Sequence, residues 1–144
     1  MKQETLLLVE DDPQAVILLR RMFKKRGFDV TVAVASDGAE ALQYLTGPVT
    51  GEQALQELPA MVLLDLDLPK VHGLEVLRRM RAHPRTRNLP VIILTSDREI
   101  DAAAGYTLGA NSFMRKPLDF EEFSRTLVAI GLGAFGKPAA RRNN

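Results

Sequence analysis

Short apolar runs alternate along the chain with longer stretches in which apolar positions recur every three or four residues. The runs cover residues 6–9, 30–34, 61–64, 91–94 and 112–114, and the first, third and fourth are apolar throughout. A run with no polar alternation suits a strand covered on both faces, and strands that alternate with helices predict an α/β fold around a parallel sheet.

The stretches between the runs carry helix start signals. Asp12 before Pro13 places an oxygen acceptor ahead of a proline at the first helical position, where a missing N–H costs nothing, and that helix should end near Gly27. Asp37 with Glu40, Ser96 with Glu99 and Asp119 with Glu122 have capping-box spacing. In the last helix Phe120, Phe123, Leu127 and Ile130 fall on one stripe, which reads as core. The connection at 47–59, with Gly47, Pro48, Gly51 and Pro59, is unusually long. Residues 1–130 are expected to form one domain, and 131–144 a partly flexible extension with no separate output domain.

A length of 144 residues suits a single globule, and 46% apolar with 26% charged residues is an ordinary soluble composition. The absence of cysteine excludes disulfides, thiolate metal sites and thiol nucleophiles, leaving carboxylates, hydroxyls and lysines for any chemistry. No apolar run approaches the roughly 20 residues that cross a bilayer, and the start lacks the long apolar segment of a secretory signal, so a cytoplasmic protein without membrane contact is expected. Nineteen basic against eighteen acidic residues give a net charge of +1 and no general pull toward nucleic acid. Arg78, Arg79, Arg81, Arg85 and Arg87 read as a solvated helix face, and Arg141 with Arg142 as tail.

In an open parallel sheet, ligands bind at the carboxyl ends of the strands. Those ends hold Glu10, Asp11 and Asp12 after the first run, Asp65 and Asp67 after the third, Thr95 and Ser96 after the fourth, and Lys116 with Pro117 after the fifth. Converging carboxylates repel one another, so such a cluster implies a bound cation or a paired lysine. Oxygen ligands with no histidine favour Mg²⁺. A carboxylate beside that ion can attack phosphorus, with the metal and a lysine offsetting charge on the phosphoryl oxygens. Asp12, followed by Pro13, reads as a helix cap before a ligand, and His72 and His83 as surface residues.

Four short segments, VEDDP at 9–13, LLDLDLPKVHG at 63–73, LTS at 94–96 and RKP at 115–117, resemble in order and spacing the response-regulator receiver domain of two-component signalling. The resemblance implies a flavodoxin-like, doubly wound sheet of five parallel strands in order 2-1-3-4-5. It makes Asp65 the phosphoacceptor and Glu10 and Asp11 the acidic pair, with Asp11 a direct Mg²⁺ ligand and Asp67 contributing its backbone carbonyl. Thr95 becomes the hydroxyl that moves toward the phosphoryl group, Lys116 the lysine that pairs with it, Phe113 the aromatic switch position, and Lys116–Pro117 a cis peptide. Where most members have aspartate before the glycine at 73 this chain has His72, which removes an expected cap from the third helix and leaves an exposed imidazole instead.

The resemblance implies a sensor histidine kinase as phosphodonor. The long connection, the HPRTRNLPVIILT stretch and the extended carboxyl terminus resemble the single-domain receivers that partner phytochrome-type kinases. Some of those dimerise through the fourth and fifth helices or a carboxyl-terminal arm, for which Leu132 and Phe135 are the candidate contacts. Two rivals stand beside this reading. Asp65-Leu66-Asp67 has the spacing of haloacid dehalogenase-type phosphatases, although those carry it on an early strand, and a pseudo-receiver would bind partners without phosphorylation.

Overall fold

The computed structural model describes residues 4–47, 58–66, 68, 71–96 and 99–137, with only the backbone of 99–102. Among them β1 (Thr5–Val9), β2 (Thr31–Ala35), β3 (Met61–Asp65), β4 (Val91–Thr95) and β5 (Ser112–Arg115) alternate with α1 (Pro13–Lys25), α2 (Gly38–Thr46), α3 (Gly73–Ala82), α4 (Glu99–Thr107) and α5 (Phe120–Ala129). The strands form one parallel sheet in order β2-β1-β3-β4-β5.

Strand residues alternate between the two faces of a sheet, and that alternation builds two cores. Leu7, Val9, Val62, Leu64 and Ile93 pack with buried residues of α2 and α3, while Leu6, Leu8, Met61, Leu63, Ile92, Leu94 and Met114 pack with α1 and α5. The stripe of α5 lies in the second core, with Phe123 and Leu127 buried and Phe120 and Ile130 partly so.

The caps show how local sequence starts each helix. Asp12 accepts from the Gln14 N–H at 3.0 Å with Pro13 at the first helical position, and α1 closes at Gly27, whose φ of +68° is the left-handed region. Asp37 accepts from the Glu40 N–H at 2.7 Å, and Glu40 reaches back to the Ser36 N–H. At α5, Asp119 accepts from the Glu121 N–H rather than from that of Glu122. The expected box at Ser96 and Glu99 involves a side chain outside the described residues, as do most of 47–59 and the tail arginines.

Two expectations are corrected. His72 does not leave α3 uncapped: its Nδ1 accepts from the Leu74 N–H at 3.1 Å, so the imidazole takes over the acceptor role of an aspartate. Phe135 is unavailable for a partner contact, because it is 4% exposed and packs edge-on against Phe28 with ring centroids 5.5 Å apart. Leu132 is half-buried against the same core. Burying an aromatic ring removes more apolar surface from water than an exposed arm could, and Gly136, at φ +79° with its carbonyl accepting from the Asp29 N–H, holds the segment there.

Candidate functional site

Glu10, Asp65 and Lys116 extend the alternation of the strands that carry them toward the α1 and α5 side, the side of Leu8, Leu63 and Met114. They therefore converge past the carboxyl ends of β1, β3 and β5. Lys116 donates from Nζ to Asp65 Oδ2 at 2.9 Å and pairs with Glu10 Oε1 at 2.6 Å. Glu10 and Asp65 are each 3% exposed, so two nearly buried carboxylates share one partly exposed ammonium.

Asp11 is exposed at the rim, and Glu10, Asp11 and Asp65 each offer an oxygen within 4.8 Å of the others. A set of hard oxygen donors without histidine or cysteine fits a small divalent cation such as Mg²⁺. Asp12 turns away to cap α1, leaving Asp11 to the cluster. Asp67 lies outside the described residues.

The electrostatics follow from burial and charge. Burial pushes the Glu10 carboxyl above its ordinary value, Asp65 adds to that, and Lys116 opposes it. Burial alone would lower Lys116, but Glu10 and Asp65 outweigh it and keep the ammonium charged well into the alkaline range.

Thr95 and Phe113 share the opposite alternation. Phe113 is in register with Ile93, two residues before Thr95 on the same strand, and packs half-buried against the core of α2 and α3. Thr95 is fully buried, and its carbonyl accepts from the Lys116 N–H at 2.8 Å. The Lys116–Pro117 peptide is cis. On the other flank α3 begins against the back of the acidic strand: the Gly73 N–H donates to Leu66 O at 3.0 Å, and a Cβ at Gly73 would come within 2.5 Å of Asp65 O. Only glycine permits that approach.

Two features escaped sequence reasoning. One is the Glu10–Lys116 pair, which joins strands that are not neighbours in the sheet and so leaves no local signal. The other is a cavity of about 320 Å³ beside that pair, lined by Ala15, Leu18, Leu19 and Met22 of α1 with Pro117 and Leu118. Its trace was present as an apolar residue on the solvent side of α1: Leu18, which lines the cavity, is 63% exposed.

The model of the response regulator receiver domain matches residues 6–128. The chain belongs to that family. Receiver domains act in two-component signalling as phosphoacceptors, and the acidic cluster here suits their divalent cation. This receiver is 41% identical to the "Probable methanogenesis regulatory protein FilR2" of Methanothrix harundinacea, over 87% of this chain and 79% of that one. It spans about half the length of several other relatives, such as 48% of the transcriptional regulator RpaA of Synechocystis. Among solved structures it resembles the bacteriophytochrome response regulator AtBRR, with a TM-score of 0.80 and 41% identity over 92% of this chain and 95% of that one. It also resembles the Mn²⁺-bound response regulator Rcp1, with a TM-score of 0.73 and 30% identity over 94% and 99% of the two chains. Among the described residues no helix is long and apolar enough to cross a membrane.

Proposed function

We propose that this chain acts in the cytoplasm, where Asp65 accepts a phosphoryl group from the phosphohistidine of a sensor histidine kinase, and that the modified receiver signals through a changed protein-binding face. The observation that carries this reading is the Lys116 ammonium 2.9 Å from Asp65 Oδ2, with Glu10 and Asp11 completing the carboxylate cluster. Asp65 attacks phosphorus through a carboxylate oxygen. The phosphorus–nitrogen bond breaks, its electron pair stays on the donor imidazole, and that nitrogen takes up a proton. Asp11 and Asp65, with Glu10 behind them and the backbone carbonyl that the family resemblance assigns to Asp67, would hold Mg²⁺, which would offset charge on the phosphoryl oxygens.

The transferred group brings about −1.5 to −2 of charge and three acceptor oxygens into the cradle. Lys116 remains protonated and follows that charge. The Thr95 hydroxyl turns toward the remaining oxygen, and Phe113 moves into the space it leaves. The β5 edge with α4 and α5 then presents a different surface. The same buried carboxylates support slow loss of the phosphoryl group to water, returning the receiver to its resting state.

The apolar cavity beside Glu10 and Lys116 supports α1 as the kinase's docking side, since a phosphohistidine aimed at Asp65 must approach past it. The likeness to phytochrome response regulators supports a phytochrome-type kinase as the donor.

Incubation with acetyl phosphate and Mg²⁺ should label the chain stoichiometrically with an acid-labile group, and Asp65→Asn should abolish the label. Full labelling of Asp65→Asn, or steady turnover of a phosphate ester as a phosphatase would show, overturns the assignment.

A further inference from the structure

Arg81, in the last turn of α3, makes three hydrogen bonds outside its own helix. Its Nε donates to Gly109 O at 3.0 Å, Nη1 to Thr86 O at 3.1 Å and Nη2 to Asn111 Oδ1 at 3.2 Å. All three acceptors are neutral, and the side chain is half-buried, so the guanidinium exchanges water for dipoles rather than for a carboxylate. Gly109 ends the turn after α4 with φ +104°, a conformation that favours glycine, and a Cβ there would lie 3.0 Å from Arg81 Nε, close enough to press on the guanidinium. A cation at the carbonyl end of a helix is also favoured by the helix dipole.

Asn111 extends the contact into the sheet. Its Oδ1 accepts from the Val91 N–H at 2.9 Å as well as from Arg81, and its own N–H donates to Val91 O at 2.9 Å. The far end of α4 is thus tied to α3 and to the first residue of β4. The near end follows Thr95 by a few residues. The opposite end of α3 is seated against the Asp65 carbonyl through Gly73, so the helix that carries Arg81 is referenced to the acceptor strand itself.

We propose that Arg81, with Asn111, fixes the carboxyl-terminal end of α4 as the pivot of the switching motion, so that phosphorylation displaces the start of the helix and leaves residues 108–111 in place. Arg81 is a positioning residue: it touches neither Asp65 nor the cation cluster, and it decides where along α4 the movement is absorbed. The proposal rests on the phosphoacceptor reading given above.

The test is amide hydrogen exchange of the full chain with and without Mg²⁺ and beryllofluoride, a stand-in for the phosphoryl group. In the unaltered chain, protection at 108–111 should change by less than about twofold while the first turns of α4 change by about tenfold or more. In Arg81→Met, protection of Ala110 and Asn111 should fall about tenfold without beryllofluoride. The beryllofluoride response should then spread through 108–111, while the affinity for beryllofluoride stays within about twofold because the acceptor site is untouched. Arg81→Lys, which retains charge and stem but loses the planar fork, should give an intermediate response if the Met variant does not fold. Equal changes along the whole of α4 in the unaltered chain, or an Arg81→Met or Arg81→Lys response confined as before, overturn the pivot alone. Failure of the unaltered chain to bind beryllofluoride overturns the acceptor reading and the pivot with it.

Discussion

At the scale of single residues, the chemistry of the site comes down to two nearly buried carboxylates sharing one partly exposed ammonium. Glu10 binds its proton more tightly in the folded chain than in the unfolded one, chiefly through burial. The folded state then holds more protons than the unfolded state at pH values just above the ordinary range of a glutamate, so stability without metal falls as pH rises through that window. Glu75 behaves oppositely. Its hydrogen bonds from Arg78 and Arg79 lower its pKa to about 2, so its contribution is present above the ordinary glutamate range and is lost as pH falls toward about 2. The two windows do not overlap. In urea denaturation with a chelator present, Glu10→Gln should flatten the decline in stability just above the ordinary glutamate range and leave the more acidic limb unchanged. An unaltered decline would show that Glu10 is not the group responsible.

At the scale of elements, α1 carries two faces with different duties. Leu19 and Phe23 are buried in the core, whereas Leu18 stands over the cavity beside Lys116 and Pro117. An exposed apolar residue at the approach to Asp65 is expected to serve the kinase and not the phosphoacceptor chemistry. Leu18→Glu should therefore slow phosphotransfer from a cognate kinase by roughly tenfold or more, a loss of about 1.4 kcal/mol or more of docking energy. Labelling by acetyl phosphate should remain within about twofold, since α1 does not bind the small donor. Equal loss with both donors would place Leu18 in the fold or the site instead.

The elements were also the most legible part of the sequence. Strand ends fell within a residue or two, because short fully apolar runs such as 61–64, set between helical stretches, suit a covered strand, and Asp12-Pro13 marks the start of α1. The site was legible where residues sit at strand ends, since topology alone gathers them. Contacts between distant side chains were not. The Glu10–Lys116 pair bridges strands separated by two others, and Phe135 follows a glycine-rich stretch with no period to mark it as core. It becomes core only once Phe23, Phe28, Phe120 and Phe123 have been assembled into one aromatic cluster. His72 as a cap needed the imidazole's orientation, which no spacing rule supplies.

At the scale of the whole molecule, the question is where a charge added at Asp65 emerges. α4 and α5 precede and follow the edge strand β5 in the chain, and each carries an exposed apolar residue, Tyr106 at 52% and Val128 at 67%. With Phe135 inside its own core, that edge is the better candidate for self-association than a carboxyl-terminal arm. Lone exposed apolar residues are common, but one on each helix beside a short edge strand offers apolar surface that a second copy can cover. Thr95 and Phe113 lie on β4 and β5, the two strands nearest this edge, so the edge lies beside the proposed switch. Light scattering with Mg²⁺ and beryllofluoride should therefore give twice the chain mass of 15.9 kDa, and the resting chain a lower average. Val128→Lys should abolish the increase without affecting labelling of Asp65, because a buried lysine at a two-fold interface would face its own counterpart. A mass of one chain in both states would assign the β5 edge to a different partner, and a dimer that survives Val128→Lys would move the contact elsewhere.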